Sequence, residues 1–179
     1  AYSGASLNNG VDERRYGLYS NITLDYSDYL FLNLSARNDW TSTVEAANRS
    51  VLYPGGSLSF IPTTAFDWSS STLKYLKLRF GYGTSAGYPS PYTTRNVLAQ
   101  SARAFDVGGA VTTTHSVSNT LGNPNLKPEL HGEAEFGLEG IMFDNKLRFD
   151  ISIYEKNTRN LITQAPIDPS TGFTSTALN

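Results

Sequence analysis

The 179-residue sequence contains no cysteine, which excludes disulfide staples and thiolate metal sites. It has no stretch of eighteen apolar residues, and so no transmembrane helix. Basic residues are neither clustered nor in excess. The 14 Lys and Arg stand against 16 Asp and Glu, for a net charge of −2, and offer no footprint to a nucleic-acid backbone. Histidine is limited to His115 and His131, sixteen positions apart and without metal-ligand spacing. Serine is plentiful, but a Ser–His–Asp assembly would have to be invented. No catalytic set stands out, so the chain is not read as an enzyme and no cofactor is expected.

What the sequence does have is alternation. Leu147, Phe149, Ile151 and Ile153 interleave with Arg148, Asp150, Ser152 and Tyr154 directly after Asp144-Asn145. Period-two alternation predicts a strand with one apolar and one polar face. The pattern recurs, and the spacing predicts strands at about 16–25, 29–40, 51–61, 76–85, 132–143 and 146–158. Each is near the roughly 9–11 residues that a tilted strand needs to cross a bilayer. Hydrophobic content of 39% fits, because barrel strands dilute their apolar residues by half.

The expected fold is therefore all-β: an antiparallel up-and-down transmembrane β-barrel, represented by about six strands of a large plugged barrel. Six strands cannot close, since bacterial barrels start at about eight and open edges in lipid are costly. Long loops point to the large end of the range, where barrels of about 22 strands are plugged. Ala1-Tyr2-Ser3-Gly4 is neither a signal peptide nor a recognisable start, so the chain is expected to begin in mid-sequence.

Short and long connections alternate. Tyr26–Asp28, Pro62–Tyr75 (with room for a short helix) and Asp144-Asn145 are expected in the periplasm. Residues 1–15, 41–50, 86–130 and 159–179 are expected outside. The stretch 86–130 shows no sustained periodicity and holds four of the 8 prolines, so it reads as one long irregular external loop. Asp28 is the expected left-handed turn residue, with Leu24 opposite Leu30 and Ile22 opposite Leu32. Pro54 and Gly55-Gly56 argue for a bend or bulge.

In the last hairpin a two-residue turn sets Phe136 opposite Ile153, Leu138 opposite Ile151 and Gly140 opposite Phe149. Glu139 then faces Asp150, a like-charge pair that Arg148 is placed to relieve. Glu133, Glu135 and Glu139 form an inward acidic row, balanced by Arg148 and Lys156. Glu155, on the apolar face opposite Ala134, marks where lipid ends. Tyr29, Trp40, Tyr53 and Tyr75 are expected in the aromatic girdles, with sugar stacking an alternative for Trp40 or Tyr53. The candidates for the inner path, or for plug contact, are Asn21, Asn33, Arg37, Lys77, Arg79, Glu135, Glu139, Arg148 and Asp150. Tyr88, Tyr92, Arg95 and Arg103 are the candidates for contact through the external loop.

Several stretches carry a family resemblance. Arg15–Asn21 with Leu30–Trp40, Tyr53-Pro54 through Phe60, and Leu76–Arg79 with Tyr82-Gly83 resemble barrel sequence of the SusC/RagA family, TonB-dependent outer-membrane transporters of Bacteroidetes. Gly122-Asn123-Pro124-Asn125-Leu126-Lys127-Pro128-Glu129 resembles a motif before a late barrel strand in TonB-dependent receptors generally. The resemblance covers roughly residues 15 to 162. It implies a place in the bacterial outer membrane, in contact with outer-membrane lipid, and import of a glycan fragment or oligopeptide. It also implies energy from the TonB complex through a plug outside this chain, and a SusD-like surface lipoprotein as lid. Two other readings compete: a soluble β-sandwich carbohydrate-binding module, and a passive or adhesive outer-membrane barrel or an outer-membrane enzyme. A sandwich predicts strands of about 5–7 residues with apolar faces packed on one another.

Overall fold

A computed structural model describes residues 10–68, 70–107 and 110–179, with only the backbone course given for 99–107 and 110–114. In chain order the strands are β1 (Arg15–Tyr26), β2 (Leu30–Thr41), β3 (Ser50–Phe60), β4 (Leu73–Gly87), β5 (Leu98–Val107), β6 (Ala110–Val117), β7 (Thr120–Leu121), β8 (Glu129–Met142), β9 (Leu147–Arg159), β10 (Thr163–Pro166) and β11 (Ser175–Leu178). A one-turn helix, α1 (Pro62–Ala65), follows β3. The large sheet has six antiparallel strands in the order β1-β2-β3-β4-β8-β9. All six expected segments are strands of this sheet, and each is 11 to 15 residues long.

One face of the sheet is apolar and uncovered. Leu18 is 71% exposed and Ile153 70%, with Ile22, Leu24, Leu34, Leu58, Phe80, Phe136 and Ile151 exposed beside them. A face of this size is a liability in water but suits hydrocarbon. No second sheet packs on it among the described residues, as a sandwich would require. The six-stranded sheet is an open barrel wall, with β1 and β9 as its free edges.

Its two ends carry the aromatic belts of a membrane strand. At the upper end Tyr16 stacks on Trp40 at 5.0 Å and 14°. At the lower end Tyr26, Tyr29, Phe60 and Phe66 make a chain of edge-to-face contacts. Ten residues of β1 separate Tyr16 from Tyr26, about 33 Å of strand, or roughly 25 Å of height at a tilt near 40°. That matches the apolar band of an outer-membrane barrel. Tyr53 and Tyr75 do not join the belts. Both sit on the inward face, at register positions opposite Arg37 and Ile141.

Registers explain the remaining differences. The last hairpin pairs as expected, with Phe136 on Ile153, Glu139 on Asp150 and Ala134 on Glu155. In the first hairpin Leu24 meets Leu32 and Ile22 meets Leu34, two residues from the expected pairing, so every side chain keeps its face. The cause is the turn: Ser27 as well as Asp28 adopts positive φ (51° and 60°), and the strands run one pair further before the reversal. The bulge expected at Pro54 is absent, because Pro54 pairs in regular register with Ala36. The irregularity of that proline falls on its other side. The β3–β4 ladder starts only at Gly55, and Thr84 Oγ1 donates to the Pro54 carbonyl at 2.7 Å. The register shift lies instead in β4, between Leu73 and Tyr75.

The stretch 86–130 is not one irregular loop. It contains the hairpin β5–β6 and the short β7, which joins β10 and β11 in a three-stranded sheet. Period two fails as a signal there because Thr112-Thr113-Thr114 and neighbouring small residues give strand propensity without an apolar stripe. At the lower end, α1 holds the Pro62–Tyr75 connection compact: the Ile61 N–H reaches the Tyr29 carbonyl at 2.8 Å, and Thr63 Oγ1 accepts from the Leu76 N–H at 3.2 Å.

The tightest packing lies outside the sheet. Leu126 is 0% exposed; Val44, Thr43 and Thr94 of the upper loops are also buried, as are Thr41 at the end of β2 and Thr176 and Ala177 of β11.

Candidate functional site

The inward face of the sheet carries the polar side chains. Asn33 Nδ2 donates to Asn21 Oδ1 and to Thr23 Oγ1, both at 2.9 Å, across the β1–β2 pair. Arg37 Nε donates to Asp39 Oδ1 at 2.7 Å along its own strand. Nearby, the hydroxyls of Tyr53 and Tyr88 lie 2.8 Å apart, and the Arg15 guanidinium sits over the Tyr88 ring at 4.7 Å. Tyr88 thus contributes to the inner wall at the barrel mouth rather than to a free loop.

Farther down, the like-charge pair Glu139 and Asp150 is relieved by Arg79, and not by Arg148 as expected. Arg79 Nη2 lies 2.6 Å from Asp150 Oδ1, and Nη1 lies 3.8 Å from Glu139 Oε2. Arg79 stands on β4, opposite Gly137 of β8. A Cβ on Gly137 would sit 2.8 Å from Arg79 Nε, so the glycine lets the guanidinium lie flat across β8 and reach β9. Arg148 instead stands opposite Ile141, two positions below. Lys77 is the register partner of Glu139, and Glu135 is that of Gly81 and Tyr154.

Above the sheet, four connections lock together into a platform. Arg95 grips Glu45 with both Nε and Nη2, at 2.8 and 2.9 Å, and Thr94 Oγ1 adds a third donor at 3.1 Å. These hydrogen bonds, Arg95 first, lower the Glu45 carboxyl from its ordinary 4.5 to about 2. Asn123 Nδ2 donates to the Ala177 carbonyl at 2.8 Å while its Oδ1 accepts from the Asn125 N–H at 3.0 Å. The Leu126 carbonyl accepts from Asn48 Nδ2 at 3.1 Å. Asn179 pairs with the backbone of Lys127 from both sides, at 2.6 and 2.8 Å. Gly122 passes so near Arg95 that an added Cβ would run into that residue's backbone.

Of the expected loop contacts, Arg95 is consumed inside this platform. Tyr92 adopts a positive φ of 67°, and its hydroxyl accepts from the Asp12 N–H at 3.4 Å. Arg103 lies on β5, and its side chain lies outside the described residues. Sequence reasoning missed Asn48, Asn123, Leu126 and Asn179. The signal available for the middle two was the Gly122–Glu129 motif.

One catalytic spelling is also present, Gly83-Thr84-Ser85-Ala86-Gly87, a G-x-S-x-G run. It lies wholly within β4, with Ser85 paired to His131 in regular register, and forms no strand-to-helix elbow. The His131 ring nitrogens face Thr158 Oγ1 at 2.9 Å and Glu129 Oε2 at 3.6 Å, and neither hydrogen-bonds Ser85. Among the described residues no cluster of three His, Cys, Asp or Glu could hold a metal.

Long antiparallel strands, an uncovered apolar face with aromatic belts at both ends, and a polar inner wall define the class: a transmembrane β-barrel of the bacterial outer membrane. The whole chain, residues 1–179, matches the model of the TonB dependent receptor-like, beta-barrel family, and the chain belongs to that family. It is 29% identical over 169 residues to TonB-dependent receptor P26 of Formosa agariphila, covering 90% of this chain and 16% of that protein. It is 27% identical over 165 residues to TonB-dependent receptor P3 of the same organism, again covering 90% and 16%. The chain thus spans about one sixth of the curated relatives it matches. Its fold is similar to part of the RagAB peptide importer in the 'closed-closed' state, at TM-score 0.79 and 24% identity, covering 92% of this chain and 18% of that one. The 'open-open' state of the same importer gives 0.78 and 24%, covering 93% and 18%.

Proposed function

We propose that this chain forms part of the wall and mouth of an active outer-membrane transporter that imports oligopeptides or glycan fragments. Energy comes from the TonB complex acting on a plug, and a SusD-like surface lipoprotein works over the mouth. The observation that carries this reading is the family match over the whole chain, joined to a polar inner wall beneath a rigid external platform. Peptide is the favoured cargo, because the solved barrels of like fold belong to a peptide importer.

Two sets of residues would serve import. Asn21, Asn33, Arg37, Lys77, Arg79, Glu135, Glu139, Arg148 and Asp150 line the path, meeting cargo or plug. The hairpin β5–β6 rises from the platform and is the element for contact with cargo or lid. Removing residues 98–117 from the parent transporter tests this, since the platform residues Arg95, Asn123 and Leu126 are left in place. The expected result is a barrel that assembles and reaches the surface but takes up labelled oligopeptides poorly. Unchanged TonB-dependent uptake would overturn the role of the hairpin.

A further inference from the structure

A short piece of chain, residues 88–96, joins the inner wall to the external platform. Its foot is bonded to the wall. The Tyr88 hydroxyl lies 2.8 Å from that of Tyr53 on β3. The Tyr53 hydroxyl is also hydrogen-bonded to the Asp39 carboxylate, to which Arg37 Nε donates at 2.7 Å. A carboxylate only accepts, so Tyr53 donates to Asp39 and Tyr88 donates to Tyr53. The Arg15 guanidinium covers the Tyr88 ring at 4.7 Å. The head of the segment is bonded to the platform. Thr94 and Arg95 supply three donors to Glu45. The Thr93 carbonyl accepts from the Asn123 N–H at 3.2 Å, and Asn96 Oδ1 accepts from the Gly122 N–H at 2.7 Å.

Between foot and head the segment is stiff. It reads Tyr88-Pro89-Ser90-Pro91-Tyr92, and each proline fixes its own φ and confines the residue before it to extended backbone. A turn closes the rest. The Ser90 carbonyl accepts from the Thr93 N–H at 3.3 Å and from Thr93 Oγ1 at 2.7 Å, and the Tyr92 carbonyl accepts from the Arg95 N–H at 3.1 Å. Tyr92 stands at the corner with a φ of 67°, a strained conformation for a residue that carries a ring. Strain of this kind persists only while the surroundings hold it in place. Here the bonds at the foot and at the head do so.

We propose that residues 88–96 form a strained strut that couples the inner wall to the outer surface. Freeing the foot at Tyr53 lets Tyr92 relax to negative φ and draws Arg95 off Glu45. Tyr88 is then a positioning residue: it touches neither Glu45 nor Arg95 but sets where Arg95 stands. A change at Arg37 or Asp39 on the inner wall is thereby felt among the external loops. The contacts that make the strut all lie within this chain, and they work whatever the lumen carries.

The test uses the full transporter in detergent, with amide exchange followed by mass spectrometry in the segments that hold Asn48 and Arg95. Tyr53→Phe and Tyr88→Phe each remove the hydroxyl contact and keep the ring. Each is expected to speed exchange in both segments about fivefold, the worth of one hydrogen bond. Ser57→Ala, on the same face of β3, should have no effect. Tyr92→Gly accepts positive φ without strain. Adding Tyr88→Phe to that variant should therefore leave exchange at Arg95 where Tyr92→Gly alone puts it. Folding of each variant is read from heat-modifiable gel mobility. Folded Tyr53→Phe and Tyr88→Phe proteins with wild-type exchange at Arg95 overturn the proposal, and so does an effect from only one of them. An equal acceleration by Tyr88→Phe in the Tyr92→Gly background overturns it as well, since the effect then travels by another route.

Discussion

The guanidinium of Arg79 lies across the backbone of Gly137, and only because Gly137 has no side chain does it reach Asp150 at 2.6 Å. One arginine thereby ties three strands of the inner wall, β4, β8 and β9, and offsets the repulsion between the carboxylates of Glu139 and Asp150.

Gly137→Ala is expected to push the guanidinium aside and break the Arg79–Asp150 pair. The pair is part-exposed, at 33% and 55%, so the loss in stability should be about 1 kcal/mol or less. A double-mutant cycle of Arg79→Gln and Asp150→Asn, read by urea unfolding in detergent, should give a coupling of similar size in the wild-type background. The same cycle built on Gly137→Ala should give none.

The platform should respond more strongly than the wall. Leu126→Ala empties a fully buried position, for which about 2–5 kcal/mol is usual. The loss should be local: trypsin should cut after Arg49 and Arg95 in the folded barrel, while the heat-modifiable mobility of the barrel stays unchanged.

Gly122→Ala should loosen the same platform by a different route. The new methyl group meets the backbone of Arg95, which cannot swing away as a side chain can. About 1–3 kcal/mol of local strain is expected, read as faster amide exchange at 93–97.

The Glu45–Arg95 clasp sets a pH response. The Glu45 carboxyl is lowered from 4.5 to about 2 in the folded protein, so its contribution is complete above about 4.5 and is lost as pH falls through about 2. Pepsin should therefore spare this loop at pH 4 and cleave it at pH 2. In Glu45→Gln the difference between the two pH values should shrink.

Depth along β9 should grade the cost of charge. Ile151→Arg places a charge on the outward face within the apolar band, where about 2–4 kcal/mol is expected, whereas Asn157→Arg near the boundary should cost about 0–1. Folding yields into lipid vesicles distinguish the two.

The wall of the barrel is legible in the sequence because its constraint is periodic. Lipid on one side and water on the other demand alternation, and Leu147–Tyr154 obeys it. The last hairpin is legible down to its register because a two-residue turn admits one pairing. The first is displaced by two residues, since sequence does not separate positive φ at both Ser27 and Asp28 from positive φ at Asp28 alone. The inner charges are legible as residues but not as partners. Arg79 reaches Asp150 across an intervening strand, a contact that depends on the β4–β8 pairing after forty-one intervening residues. The platform is illegible for a related reason: its bonds run from asparagine side chains to backbone carbonyls, and these leave no periodic trace.

The platform also has a consequence for assembly. Its bonds join residues 50, 54 and 78 positions apart, and the longest of them, from Asn48 to Leu126, ends three residues before β8 begins. A slip of two residues in the β4–β8 pairing would preserve every lipid-facing side chain and so go unpunished by the membrane. It would also carry the start of β8 about 7 Å along its neighbour and draw Leu126 out of its socket. The external loops thus act as a proofreader of strand alignment, rejecting a mistake to which the bilayer is blind.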